Sequence, residues 1–149
     1  METGSGPHVG ETNPAGAWQH LQEDETARLI DVRTRAEWGF VGVPDLGILR
    51  QSPIFIEWAS YPEMSVNANF AAEVEEAIGV ETPGPLLFIC RSGARSLRAA
   101  MAVSHHYAQR GVSVTCLNVA EGFEGDLDAS GHRGAHNGWK ARGLAWRQS

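Results

Sequence analysis

Leu86-Leu87-Phe88-Ile89-Cys90-Arg91-Ser92-Gly93-Ala94-Arg95-Ser96 passes from an unbroken apolar run into a loop that carries a thiol, two arginines and a glycine. A short apolar run bounded by turn residues reads as a strand buried on both faces, and Pro83-Gly84-Pro85 supplies the turn before it. Helical spacing then extends from about Ala94 to Gln109, and Gly111 ends it. Cys90 is therefore expected where a buried strand gives way to a helix.

The same alternation continues on both sides. Upstream, Leu29-Ile30-Asp31-Val32-Arg33 is a strand ending in charge. Thr34 caps a short helical turn, with Glu37 in the capping-box position. Residues 39–49 hold several Gly and Pro residues and read as loop, Ile54 to Trp58 as a short strand, and Tyr61-Pro62 as its break. A helix opens at Asn67 or Asn69 and runs through Ala77; Phe70, Val74 and Ile78 form its apolar stripe and Gly79 its end. Near the start, Asn13 and Pro14 cap a short helix to Gln22. Downstream, Val112 to Val119 reads as a buried strand. Strands that are apolar throughout and alternate with helices predict an α/β fold, a mostly parallel central sheet with helices on both faces.

A chain of 149 residues suits one core. We divide it into a flexible leader (1–13, with three glycines and a proline), a main domain (14–128) and a C-terminal extension packed on that domain (129–149). From Gly131 onward the chain has Arg133, Lys140, Arg142 and Arg147 and no acidic residue, together with Trp139, Leu144 and Trp146. Two tryptophans argue for packing, as a C-terminal helix and surface turn, against the alternative of a partner-docking tail.

The net charge of −6 argues against nucleic acid as a partner. No apolar stretch is long enough to cross a bilayer, so no membrane partner is expected. Met1 to Pro7 lacks the basic and apolar segments of a signal peptide, and a cytoplasmic location is expected. Two cysteines do not make a disulfide framework, and Cys116 reads as a small core residue. His132 and His136 lie among glycines without a neighbouring cysteine, so no metal is expected, and no cofactor.

Ligands of a parallel sheet bind beyond the carboxyl ends of its strands, where Cys90 is placed. Loop N–H groups, the positive end of the following helix and the charges of Arg91 and Arg95 all favour thiolate over thiol and attract an anion. A cysteine that merely ends a strand needs neither arginine.

Two motifs resemble the rhodanese-like family, the sulfurtransferases. Asp31-Val32-Arg33 followed by Glu37-Trp38 is similar to the family's D-V-R-x-x-x-E-[WYF] segment. Cys90 to Ser96 is similar to its active loop C-R-x-G-x-R with a trailing Ser. The resemblance covers roughly residues 14–125, and the tail from Glu121 looks like an extension of some single-domain members. One departure is clear: where the family usually has Gly-His-Ile-Pro-Gly-Ala, this chain has Gly42-Val43-Pro44-Asp45-Leu46.

The resemblance implies a thiosulfate sulfurtransferase-like enzyme. Cys90 attacks the outer sulfur of a small anionic donor such as thiosulfate and becomes a persulfide. A thiol, cyanide or a protein acceptor then removes the sulfur. Cys90 is the nucleophile. Arg91, Ser92, Gly93, Ala94, Arg95 and Ser96 form the substrate- and persulfide-binding loop, with Arg95 assigned to tie the loop to an acidic residue. Arg33 is expected to pair with Glu37, and Asp31 to anchor the loop. Trp38, Trp58 and Tyr61 are either core or pocket mouth.

The alternatives are a persulfide carrier without turnover, a regulatory binding module, or a small-anion phosphatase or arsenate reductase on the same fold. A C-x5-R phosphatase loop needs arginine where this chain has Ser96, and arsenate reduction usually needs a resolving cysteine.

Overall fold

The computed structural model describes residues 8–81 and 83–149. Five strands form one fully parallel sheet in the order β1 (Val9–Thr12), β8 (Cys116–Val119), β7 (Leu86–Ile89), β2 (Arg28–Asp31) and β4 (Ile54–Phe55). β7 lies at the centre, and its four side chains are fully buried. Leu86 and Phe88 point to one face, and Leu87 and Ile89 to the other, as the two-residue strand period requires. The α/β class read from the apolar strands is the fold observed.

Helices α3 (Phe70–Ile78) and α4 (Ala94–Gln109) cover the first face. Phe70 and Val74 of α3 meet Ala99, Ala100, Val103 and Tyr107 of α4 over Ile30 and Phe88. Helix α1 (Pro14–Glu23), capped by Asn13 with Pro14 at its first position, covers the second face with Ala17 and Leu21. The short helix α2 (Arg35–Phe40) follows β2 and has the full Thr34–Glu37 capping box.

Several expectations need correction. Residues 9–12 are not a loose leader: they pair with β8 as the edge strand β1, because Val9 and its neighbours can add to the ladder at Cys116. The rest of the expected leader, residues 1–7, lies outside the described residues, as does the signal-peptide reading made on them. Residues 39–49 are not simply loop. They contain the end of α2, the strand β3 (Val43–Pro44) and a 3-10 turn at Gly47–Leu49.

The expected C-terminal helix is absent among the described residues. Residues 129–149 instead form successive turns and the strand β9 (Trp146–Arg147), antiparallel to β3. Gly131, Gly134, Gly138 and Gly143, all at positive φ, favour turns over a continuous helix. Trp139 carries the packing of this segment. It is fully buried, lies edge-on to Trp18 at 6.0 Å, and donates its indole N–H to the Ala145 carbonyl at 2.8 Å.

A short hairpin, β5 (Ala59–Ser60) and β6 (Ser65–Val66), precedes α3. No described helix is long and apolar enough to cross a membrane.

Because the Trp139 indole fills the second core layer, Trp139→Ala is expected to destabilise the fold by about 3–5 kcal/mol. Urea denaturation would show this as a lower midpoint; an unchanged midpoint would mean that the extension does not contribute to the core.

Candidate active site

Cys90 directly follows β7 and is 1% exposed. Its Sγ accepts the Gly93 N–H at 3.1 Å and lies 3.2 Å from Ser96 Oγ. Gly93 is the N-cap of α4 at φ +112, a backbone setting that favours glycine, and no side chain caps the helix. The N–H groups of Ala94, Arg95 and Ser96 therefore begin a 16-residue helix without intrahelical acceptors. No acidic side chain sits in that first turn, so the positive helix end acts on the loop undiminished.

A second turn, after β8, fixes the carbonyl side of the cysteine loop. Phe123 N–H donates to Cys90 O at 2.8 Å, and the N–H groups of Glu124 and Gly125 donate to Arg91 O at 3.0 and 3.2 Å. The backbones approach so closely that a Cβ on Gly122 would lie 2.5 Å from Cys90 O. With two loop carbonyls committed to that turn, the Gly93 N–H that follows them is left to the sulfur.

The charged residues sort into two separate pairs. Arg95 grips Glu37 with both ends of its guanidinium, Nη1–Oε1 at 2.7 Å and Nη2–Oε2 at 2.9 Å. Burial alone would raise the Glu37 pKa; the Arg95 fork and the N–H and hydroxyl of Thr34 reverse this and lower it to about 2. Pairing with Glu37 in turn raises the Arg95 pKa against the effect of burial.

Arg33 does not pair with Glu37. Its Nη2 binds Asp31 Oδ2 at 2.7 Å and the Gly42 carbonyl at 2.8 Å, and its guanidinium lies 4.3 Å from the centre of the Phe123 ring. Asp31 and Arg33 are both fully buried, and a two-residue spacing at the strand end brings them together before Glu37 can compete.

Of the loop residues singled out from sequence, Cys90, Gly93 and Ser96 converge on the sulfur. Arg95 is turned toward Glu37. Ala94 is exposed and Ser92 half-buried. Arg91 is exposed and makes no ion pair among the described residues.

Asn118 was missed. It is 3% exposed on β8, accepts the Ser96 hydroxyl at 2.6 Å, and donates its amide to Gly93 O at 3.2 Å. An asparagine inside Cys116-Leu117-Asn118-Val119 was the available signal, since a buried polar side chain needs partners.

Cys116 belongs to the core, and burial pushes its thiol up to about 12. Both cysteines are free. Cys116 is in register with Leu86, four residues before Cys90, so the two thiols stand about 13 Å apart along the strands, too far for a disulfide.

Trp58 packs edge-on to Phe70 at 5.3 Å, and Trp38 to Phe55 at 5.1 Å, while Tyr61 is exposed. His132 and His136 are exposed on turns, and no three His, Cys, Asp or Glu side chains converge as metal ligands among the described residues.

No family model matches the chain. A crystal structure of Rv0390 from M. tuberculosis is similar with a TM-score of 0.79 and 44% identity, over 94% of this chain and 98% of that one. The uncharacterized proteins RC0915 of Rickettsia conorii and RP600 of Rickettsia prowazekii are each 30% identical over 131 residues, covering 88% of this chain and 91% of theirs. A rhodanese-like domain protein of Staphylococcus aureus matches with a TM-score of 0.49 and 16% identity, over 91% of this chain and 96% of that one.

Glu37 is held ionised by its partners, so its contribution to stability is complete above its ordinary pKa of 4.5 and is lost as pH falls through about 2. Glu37→Gln should lower stability at neutral pH by about 2 kcal/mol. It should also flatten the fall in urea midpoint between pH 4.5 and 2. Parallel pH profiles for variant and wild type would contradict this role.

Proposed function

The chain belongs to one family with these mycobacterial and rickettsial proteins, and we propose that it is a sulfurtransferase of the rhodanese type working through Cys90. The observation that carries this reading is the buried Cys90 sulfur at the uncapped start of α4, with the Gly93 N–H already donated to it.

The Cys90 thiolate attacks the outer sulfur of the donor. With thiosulfate, the new Sγ–S bond forms as the S–S bond of the donor breaks. Its electron pair leaves with sulfite, and a Cys90 persulfide anion remains. An acceptor, cyanide or a thiolate, then attacks the outer persulfide sulfur and restores the thiolate. The Gly93 N–H already at the sulfur and the positive end of α4 stabilise the negative charge in both states. Arg91, exposed and free of an ion pair among the described residues, attracts the anionic donor. Arg95 supports the loop through Glu37.

The Glu37 fork also bears on the phosphatase alternative. A phosphatase loop uses its arginine to grip phosphate with both guanidinium ends, and here both ends are already committed to a carboxylate. A thiol nucleophile of this kind suits a reducing compartment, the cytoplasm.

Incubation with thiosulfate, or with a low-molecular-weight persulfide, should add one sulfur atom to the intact protein by mass spectrometry. Cys90→Ala should abolish the addition and Cys116→Ala should leave it. No added sulfur from either donor would sink the reading, and hydrolysis of an aryl phosphate that is lost in Cys90→Ala would replace it with the phosphatase.

A further inference from the structure

Three buried side chains form a chain of contacts from the sulfur to the neighbouring strand: Cys90 Sγ to Ser96 Oγ at 3.2 Å, and Ser96 Oγ to Asn118 Oδ1 at 2.6 Å. The order of protons along it is constrained. Asn118 donates its Nδ2 to Gly93 O at 3.2 Å, so its carbonyl must face Ser96; the reversed amide would set two acceptors against each other. A carbonyl oxygen only accepts, so the single hydroxyl proton of Ser96 points to Asn118 and away from Cys90. Ser96 then presents a lone pair to the sulfur, which suits a thiol S–H as donor. It does not suit a thiolate, which can only accept.

We infer that Asn118 is a positioning residue for Cys90: it holds the Ser96 proton away from the sulfur in the thiol state, and that proton turns to Sγ when the thiolate forms. Ionisation breaks only the Cys90 S–H bond, and its proton leaves to a base in the solvent. Ser96 keeps its proton and exchanges one acceptor, Asn118 Oδ1, for another, Sγ. The sulfur then has two donors, Gly93 N–H and Ser96 O–H, in place of one. Asn118 thus favours the resting thiol, Ser96 the reactive thiolate, and Gly93 O keeps the amide oriented in both. Extension of this exchange to the persulfide rests on the sulfurtransferase reading; the exchange at the thiol does not.

The test is the rate at which iodoacetamide alkylates Cys90 at neutral pH, followed by mass spectrometry of the full-length protein. Ser96→Ala should slow alkylation about fivefold, the worth of one hydrogen bond to the thiolate. Asn118→Ala should accelerate it by a similar factor by releasing the Ser96 proton. In a Ser96→Ala background that acceleration should vanish. A purely structural Asn118 would instead change the rate in the same sense in both backgrounds, and that result would overturn the inference. Should Asn118→Ala not fold, judged by circular dichroism, Asn118→Leu serves. It keeps the volume and removes the acceptor, so alkylation should accelerate with Ser96 present and not with Ser96→Ala, and an equal change in both backgrounds would overturn the proposal. Absence of persulfide in the wild-type protein, with these alkylation results intact, would remove the sulfurtransferase reading and leave the role of Asn118 standing.

Discussion

The hydrogen bonds from Phe123, Glu124 and Gly125 to the carbonyls of Cys90 and Arg91 decide which way the cysteine loop faces. A loop of this length has as many acceptors as donors, and an anion tolerates only the donors. By committing the acceptors at the strand end to the turn after β8, the fold leaves the Gly93 N–H to the sulfur, at the uncapped start of α4. The approach requires a missing side chain at Gly122. It also requires the adjacent Glu121 to sit at φ +74, a setting unusual for a residue with a side chain. Arg142 and the Gly138 N–H hold the Glu121 carboxylate, with Nη2–Oε2 at 2.6 Å and N–Oε1 at 2.9 Å. The C-terminal extension thereby supports the turn that supports the loop.

Charge is arranged on the same principle of prior commitment. The buried pair Asp31–Arg33 and the partly buried pair Glu37–Arg95 account for most of the charges in the two motifs. A buried pair of this kind adds little net stability compared with apolar packing, but removing one partner is costly. Its value here is geometric: Glu37 ties α2 to the start of α4, and Arg33 ties the end of β2 to Gly42 and Phe123. The basic tail is committed in the same way. Arg142 binds Glu121, Arg133 donates to Gly125 O at 2.7 Å, and Lys140 sits 4.2 Å from the centre of the Trp146 ring.

Local signals carried the readable part of the fold. The apolar run 86–89, the helix 94–109, the Asn13-Pro14 cap and the Thr34–Glu37 capping box depend on neighbours in sequence, and their positions followed from residue type. The misread parts depend on distant partners. Residues 9–12 look like leader because Gly10 and Glu11 are poor strand formers, yet β8 offers a free edge. The β3–β9 pairing joins positions about a hundred residues apart. Arg33 was assigned to Glu37 on spacing alone; the structure shows that Arg95, 58 residues from Glu37, is the partner. At the site, the place of Cys90 between strand and helix was legible, whereas the contacts of Asn118 with Ser96 and Gly93 join residues more than twenty positions apart.

The most direct test of a sulfur cradle at Cys90 is diffraction from crystals of the protein soaked in thiosulfate. One additional sulfur bonded to Cys90 Sγ and within hydrogen-bond distance of the loop N–H groups is expected. An unmodified Cys90, or a persulfide whose outer sulfur points away from those N–H groups, would contradict it.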